Sequence, residues 1–193
     1  MEVPQCLFDN FIRQGWAYSD QMLTHHQIKS WRQMAQEKLN HGHFRPAQVA
    51  SGSQPHIRSD SIYWLEEAQT ESLSIFKTLH EWRQQLTREL CVSAPQVEAH
   101  FACYAPGNSY HKHCDQPKNS QARVITFIIY LHDNWAPGMG GELVIFENEN
   151  DEVGTFIEPQ PGRVVFFKSD EIWHQVQQSN FNRLSLTGWF RHP

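Results

Sequence analysis

The chain has 193 residues, of which 39% are hydrophobic and 19% are charged, and its formal net charge at pH 7 is −5. This length is sufficient for one domain with a substantial core, and the hydrophobic content excludes a disordered chain. The acidic balance disfavours a general nucleic-acid-binding protein, because such proteins usually carry a basic face.

The cysteines and the absence of sorting signals indicate the compartment. The four cysteines, Cys6, Cys91, Cys103 and Cys114, form no C-x-x-C pair, which favours reduced thiols in the cytosol. The first residues lack a basic segment followed by an apolar run, so we expect no signal peptide. No apolar run reaches the length of a membrane span. We therefore expect a cytoplasmic protein.

Helical patterns dominate the first half of the chain. Pro4 and Gly15 bracket a predicted helix over 4–14, and Ser19 or Asp20 would cap a second helix over about 20–40. A third helix is predicted from Thr70 or Ser72 to about residue 91. We expect residues 1–95 to form a helical support that also carries a substrate loop at 47–69.

The segment 41–69 has no periodicity and is interrupted by glycine and proline. Long connections in compact domains often carry function. Within it, residues 57–64 combine Arg58, Asp60 and two aromatic residues. Taken alone, this stretch is better explained as a loop with a short buried strand than as a binding segment.

From about residue 96 the pattern changes to alternation, which predicts strands. The predicted strands span 97–104, 123–131, 142–146, 154–157, 163–167, 174–177 and 183–190. Pro161 and Gly162 suit the two central positions of a type II turn. Helices followed by a run of short strands predict a mainly β fold, a double-stranded β-helix or jelly roll over 96–193 flanked by about three helices.

A metal site is predicted from His113, Asp115 and His174. On an extended strand, residues 113 and 115 point to the same face. A second histidine from a distant strand would complete the two-histidine, one-carboxylate arrangement of non-haem Fe(II) oxygenases. His111 invites a three-histidine alternative, which leaves Asp115 and Arg183 unexplained. We expect His111 to lie at the rim and Cys114, on the opposite parity, to be a packed thiol.

The last predicted strand supports an anion site beside the metal. Arg183 and Thr187 share one parity with Ser185 and Trp189, a set too polar for a core. A buried arginine needs an anionic partner, and a dicarboxylate would accept paired hydrogen bonds from it. Tyr130 could donate its hydroxyl to the same carboxylate.

These residues together resemble the 2-oxoglutarate- and Fe(II)-dependent dioxygenases, and within them the hypoxia-inducible-factor-type (egg-laying-nine) prolyl 4-hydroxylases and their bacterial homologues. The resemblance covers most of residues 5–190. It extends beyond the His-x-Asp pair to the segments 57–64, 104–110, 123–131, 140–143, 161–167 and 183–190.

The resemblance implies a role for each matched residue. Fe(II) would be held by His113, Asp115 and His174, which are the catalytic centre. The co-substrate 2-oxoglutarate would be bound by Arg183, Tyr130, Thr187, Tyr104, Leu143 and Trp189. The substrate would be bound by Arg123, Asp60, Arg58 and Tyr110, with an ion pair between Asp60 and Arg123. Oxidative decarboxylation of 2-oxoglutarate by O2 would be coupled to hydroxylation of a prolyl residue, with ascorbate as a reductant.

The implied partner is a protein or peptide with a proline in an exposed loop, a translation factor being one candidate, and we expect a monomer. Three alternatives are left open. The first is a hydroxylase of a small molecule in the same iron class, and the second a non-catalytic module that responds to 2-oxoglutarate or iron. The third, a nucleic-acid demethylase of this class, would need a second arginine where Trp189 stands.

Overall fold

The computed structural model describes residues 2–48, 54, 56–116 and 121–193. Helix α1 spans Gln5–Gln14, α2 spans His25–Asn40, and α3 spans Leu73–Glu89 after a short 3-10 turn at Thr70–Ser72. Gly15 ends α1 in the left-handed region, with φ at 78°, and its N–H donates to the Phe11 carbonyl. The three predicted helices are confirmed.

The predicted start of α2 is wrong. Residues Trp16–Ser19 form strand β1 instead, and the helix begins after Thr24. Thr24 and Gln27 form a capping box: the Gln27 N–H donates to Thr24 Oγ1 at 3.2 Å and the Thr24 N–H donates to Gln27 Oε1 at 3.0 Å. This reciprocal cap outcompetes Ser19 and Asp20, which lie in or beside the strand.

The remaining strands follow in chain order. They are β2 Arg45–Pro46, β3 Ser61–Trp64, β4 Gln96–Tyr104, β5 Tyr110–His113, β6 Arg123–Tyr130, β7 Leu143–Phe146, β8 Thr155–Ile157, β9 Val164–Lys168, β10 Trp173–Val176 and β11 Arg183–Arg191. All seven strands predicted beyond residue 96 are present within a residue or two of their expected ends. Gly162, with φ at 82°, occupies the turn before β9 as expected.

These strands form two antiparallel sheets, the arrangement of a jelly roll. The larger sheet has the order β1-β9-β6-β11-β4-β3-β2 and the smaller one β5-β10-β7-β8. The N-terminal part is therefore more than a helical support, because it supplies β1, β2 and β3 to the larger sheet. The helical support with its loop that was expected over 1–95 therefore also contains strands of the sheet.

The larger sheet separates two buried clusters. On its outer face, the helices pack against alternate residues of β11 (Leu184, Leu186 and Phe190) and against aromatic side chains such as Trp82 and Phe127. On its inner face, residues of both sheets form a second cluster. The alternation predicted for β11 is confirmed, and its polar parity faces the space between the sheets. Among the described residues, no helix has both the length and the apolar character needed to span a membrane.

Candidate metal centre and active site

The inner face of the jelly roll brings together His113, Asp115 and His174. One potential ligand atom from each lies within 4.8 Å of the others. His113 Nε2 lies 3.5 Å and His174 Nε2 3.9 Å from Asp115 Oδ1. The two histidines are direct partners in the pairing of β5 with β10. Asp115 lies just beyond β5. The rule that alternate residues of a strand share a face therefore does not explain the position of the aspartate.

Backbone carbonyls fix both imidazoles in the orientation that a metal requires. His113 Nδ1 lies 2.7 Å from the His111 carbonyl oxygen, and His174 Nδ1 lies 3.1 Å from that of Ile172. Each Nδ1 therefore carries the proton, and each Nε2 offers its lone pair to the cavity. Burial, together with the nearby His113, lowers the pKa of His174 to about 4, which keeps this ligand neutral near pH 7.

Hydrogen bonds orient the Asp115 carboxylate through only one of its two oxygen atoms. Its Oδ2 accepts hydrogen bonds from Thr126 Oγ1 at 2.8 Å and from Trp189 Nε1 at 3.0 Å. Oδ1 is the atom left facing the histidines. Burial opposes ionisation of the Asp115 carboxyl, but the two adjacent imidazoles and the Arg123 guanidinium hold its pKa below the usual range. The donor set, two neutral imidazoles and one carboxylate, fits Fe(II).

Arg183 forms an anion site in the same cavity. Its side chain is 1% exposed, and its Nε and Nη2 atoms have no hydrogen-bond partner among the described residues. The rings of Tyr104 and Tyr130 lie 5.0 and 4.8 Å from the guanidinium carbon, and the buried Tyr130 hydroxyl is also unpartnered there. An unpaired buried charge is costly, so this group of donors fits the carboxylate of a bound molecule.

A glycine makes room for the arginine. Gly141 has φ at 75°, and a Cβ atom at this position would lie 2.8 Å from Arg183 Cδ. Any side chain at residue 141 would therefore have to displace Arg183 as well as adopt a strained backbone. This contact explains why the glycine pair at 140–141 precedes β7.

Most of the predicted co-substrate residues line the cavity. Tyr104, Thr187 and Trp189 are on its wall together with the triad and Arg183. Tyr130 is fully buried beside Arg183. Leu143 is buried in the same inner cluster as Tyr104 and Tyr130 and pairs with Val176, which lines the cavity. Its contact with the co-substrate stays a prediction.

Two residues of the site were not predicted. Thr126 orients Asp115, as described above. His100 is 1% exposed and lies between Trp64 and Trp189, with ring centroids 4.7 and 5.5 Å away. Burial, and then the charges of Arg58 and Arg123, lower its pKa to about 3. The sequence could have indicated His100, because it alternates with Ala102 and Tyr104 along β4 and all three side chains face the cavity.

Of the predicted substrate residues, Arg58, Asp60 and Tyr110 line the cavity, and Arg123 lines an adjoining pocket. Their ion pairing differs from the expected one. Arg58 donates to both carboxylate oxygens of Asp60, at 2.7 and 3.0 Å. The expected pair between Asp60 and Arg123 is therefore not formed. Arg58 is only two residues from Asp60 on the same segment, so its guanidinium can donate to both oxygens of the carboxylate. Arg123 instead stacks on Trp189 at 3.5 Å and donates to the Asp115 carbonyl at 2.9 Å.

Tyr110 connects the substrate segment to the metal centre. Its ring stacks on His113 with centroids 3.5 Å apart, and the Arg58 guanidinium lies 4.8 Å from the same ring. The segment around Arg58 is also held by hydrogen bonds between Ser59 and Ser109 and between Ile57 and His111. Residues 49–53 and 55 of the predicted 47–69 loop lie outside the described residues.

His111 and Cys114, the two residues near the triad that were not expected to be metal ligands, lie where the sequence placed them. The His111 side chain is exposed. Cys114 donates from Sγ to the Ser169 carbonyl at 3.0 Å, and burial raises the pKa of its thiol. Neither belongs to the group of potential ligands formed by the triad.

Comparison with known proteins identifies this arrangement. Residues 99–191 match the 2OG-Fe(II) oxygenase superfamily. Over 98% of the chain, the sequence is 32% identical to prolyl hydroxylase EGLN3 of Mus musculus, of which 79% is covered. The chain belongs to the 2OG-Fe(II) oxygenase superfamily. Its cofactor is Fe(II), its co-substrates are 2-oxoglutarate and O2, and it is an enzyme of the prolyl hydroxylase type.

Solved structures of other family members agree with this assignment. A prolyl-4-hydroxylase of Pseudomonas putida superposes on this oxygenase with a TM-score of 0.87 at 30% identity, covering 97% of this chain and 98% of the other. A prolyl hydroxylase from Trichoplax adhaerens, in complex with a hypoxia-inducible-factor peptide, has a TM-score of 0.84 at 25% identity, with 96% and 87% covered. The predicted jelly-roll fold is confirmed.

Proposed function

We propose that this oxygenase hydroxylates C4 of a prolyl residue in a protein or peptide, coupled to oxidative decarboxylation of 2-oxoglutarate to succinate and carbon dioxide. The observation that carries the proposal is the pairing of the His113–Asp115–His174 triad with the unpaired, buried guanidinium of Arg183 in one cavity. A metal and a dicarboxylate would meet there, and the similarity to prolyl hydroxylases supplies the substrate class.

The side chains of the cavity would bind and orient the co-substrate. Arg183 would hold the distal carboxylate of 2-oxoglutarate through Nε and Nη2, and the Tyr130 hydroxyl would donate to the same group. Tyr104 and Thr187 would line the pocket. Fe(II), held by the triad, supplies the redox chemistry with O2. The surrounding aromatic residues would keep water away from the reacting groups.

The substrate proline would enter beside Trp189. Arg58, Asp60 and Arg123 stand at this entrance, and Tyr110 links it to the ligand His113. When a peptide binds, Asp60 would break its ion pair with Arg58 and form one with Arg123. This change would alter the shape of the cavity entrance. We keep the prediction of an Asp60–Arg123 pair as a proposal for the substrate-bound state.

The proposal is tested by incubating the oxygenase with Fe(II), 2-oxoglutarate and a set of proline-containing peptides. We expect succinate to form in proportion to oxygen addition, and fragmentation mass spectrometry to place the added oxygen on proline. His174→Ala should abolish both signals while the protein stays folded. Full turnover by His174→Ala would exclude the metal assignment.

The same assay separates the alternatives. A small-molecule hydroxylase would form succinate with a metabolite extract and add no oxygen to any peptide. A non-catalytic module would bind 2-oxoglutarate without forming succinate. Intact-mass analysis of cell-extract proteins would then identify the natural substrate, for which a translation factor is our candidate. Action in the cytoplasm as a monomer, with ascorbate as a reductant, completes the proposal.

A further inference from the structure

A groove adjoins the metal cavity and continues its wall. Three residues, Arg58, His100 and Trp189, line both the cavity and the groove. From there the groove runs past Tyr63 and Trp64 on β3 towards Arg45 on the edge strand β2. Trp64 is 44% exposed, so an aromatic surface is open to a bound chain.

The charge of the groove is opposite to that of the whole chain. Its lining includes Arg45, Arg58 and Arg123, and none of its described lining residues is acidic. Arg58 is neutralised by Asp60. Arg45 donates only to the carbonyls of Gly42 and Phe44, and Arg123 to that of Asp115, so neither has a carboxylate partner among the described residues.

Arginines elsewhere in the described chain are often paired. Arg163 binds Asp20, and Arg191 binds Glu98 at 3.0 Å. Glu98 and Asp115 are the acidic groups that act on Arg123, but Glu98 is already paired and Asp115 belongs to the metal triad. Among the described residues, Asp60 is the one carboxylate that pairs with an arginine of the groove, and it holds Arg58; if it moves to Arg123 when a peptide binds, Arg58 is released instead. In either state the groove of this acidic chain, at a net charge of −5, keeps two arginines without a carboxylate among the described residues: Arg45 and one of Arg58 and Arg123.

We infer, as a refinement that rests on the proposed prolyl hydroxylation, that the groove binds an acidic segment flanking the target proline. One carboxylate of that segment faces Arg45, and another lies near whichever of Arg58 and Arg123 is not paired with Asp60. Guanidinium groups without internal partners favour carboxylates, and such complementarity selects the partner.

The strand register gives the spacing. Arg45 pairs with Ile62, and Ile62 pairs with Ala102, which lines the metal cavity. Arg45 is therefore two strands, about 10 Å, from the cavity wall. An extended peptide advances about 3.3 Å per residue, so the side chain that reaches Arg45 is about three residues from the hydroxylated proline.

A polypeptide fits the groove better than a nucleic acid. Binding along a phosphate backbone uses many cationic contacts in a basic surface. Two unpaired arginines in an acidic protein provide few such contacts, whereas two carboxylates of a peptide satisfy both. The aromatic side chains beside them would contact the apolar part of the peptide, the proline included.

The test compares peptides of one sequence that carry Asp or Ala three residues before or after a single proline. We expect KM for one of the two Asp peptides to be about fivefold lower than for the matching Ala peptide, as for a partly exposed ion pair. The advantage should shrink as salt is raised. Arg45→Glu should remove the advantage, and a Lys peptide should regain it with this variant.

Arg88→Glu is the matched control, because Arg88 is an exposed arginine at the end of α3, far from the groove residues. It should keep the preference for the Asp peptide. Equal KM values for the Asp and Ala peptides, with proline hydroxylated in both, would overturn this inference and leave the proposed function intact. Absence of proline hydroxylation in every peptide would overturn the proposed function, and this inference with it. Competition by a single-stranded oligonucleotide stronger than that by the Asp peptide would also overturn the inference.

Discussion

Arg183 is a charged side chain that the fold buries without a charged partner among the described residues. Its ring neighbours, Tyr104 and Tyr130, contribute a polarisable surface, but not a carboxylate. Removing a guanidinium from water costs several kcal/mol unless an anion compensates it. The residue therefore lowers the stability of the protein alone, and under the proposed function it would provide binding energy for 2-oxoglutarate.

This trade-off predicts the behaviour of Arg183→Met, which replaces the charge with an apolar chain of similar length. We expect the free energy of unfolding without ligand to stay equal or rise, and KM for 2-oxoglutarate to rise by about a hundredfold. Urea unfolding and succinate formation measure the two effects. Mn²⁺ affinity serves as the control and should change little. A lower stability with an unchanged KM would remove Arg183 from the anion site.

Thr126 acts through Asp115. Thr126→Val keeps the shape of the side chain and removes the hydrogen bond to Oδ2, so Asp115 loses part of its orientation. We expect Mn²⁺ affinity to fall about tenfold, the effect typical of such supporting bonds. Thr126 also bonds Ser169 at 2.9 Å, and Ser169→Ala tests whether that contact matters instead. Equal losses in the two variants would refute the orienting role.

At the scale of elements, β5 is the strand that we expect to be stabilised most by the metal. It has four residues, and its pairing with β10 shifts register between His174 and Val176. A metal held by His113 and His174 would bridge this weak pair directly. Binding to the folded state alone stabilises what it bridges.

We therefore expect Mn²⁺ to slow amide hydrogen exchange in β5 by about tenfold or more, with little change in β4, which pairs along its full length with β11. Hydrogen-exchange mass spectrometry with peptide resolution measures the difference. In His174→Ala the protection of β5 should disappear. Uniform protection of both strands would indicate global stabilisation rather than a local bridge.

Sequence patterns predicted elements well where the period was long and sustained. The three helices have such patterns, and the strands predicted after residue 96 are marked by alternation between glycine and proline turn signals. Strand β5 was not among them, and β1, β2 and β3 were missed or left as part of a loop, because these segments show little alternation to read. The strand form of β1 and β3 comes from pairing with β9 and β4, which is a tertiary contact and not a local propensity.

At the scale of the whole molecule, buried neutral histidines make stability depend on pH. His132 is 4% exposed, and burial together with the charge of Arg183 lowers its pKa from 6.5 to about 4. The unfolded chain therefore binds more protons than the folded chain between these values. Stability from this residue is complete above about pH 6.5 and is lost as the pH falls towards 4.

The loss should reach about 3 kcal/mol for this histidine over that range, at up to about 1.4 kcal/mol per pH unit. Urea unfolding of the metal-free protein at several pH values measures the slope. In His132→Asn, the slope of the unfolding free energy against pH should decrease by the contribution of about one bound proton. Replacing His25, an exposed histidine with the same titrating group, should leave the slope unchanged. An unchanged slope in His132→Asn would show that His132 is not the group responsible.

The site as a whole was predicted to a greater extent than its details. The triad follows from residue types and spacing, and Arg183 from residue type and strand parity, since metal and carboxylate chemistry restrict which side chains can serve. Asp115 reaches the site from just beyond β5, which strand parity does not explain. The partner of Asp60 and the orienting role of Thr126 depend on which strands lie side by side. That information comes from the register of the folded sheets and is absent from any local pattern.

Under the proposed function, the buried guanidinium of Arg183 would also connect the lifetime of the protein in a cell to the supply of 2-oxoglutarate. A ligand that binds the folded state lowers the fraction of molecules that are open to proteases at any moment. Because 2-oxoglutarate would relieve the electrostatic cost at Arg183, a cell rich in this metabolite would retain more of the oxygenase. As the concentration of 2-oxoglutarate rises, the amount of enzyme and the rate per enzyme molecule would then both increase. The total rate of hydroxylation would therefore depend more steeply on 2-oxoglutarate than occupancy of the binding site alone would give.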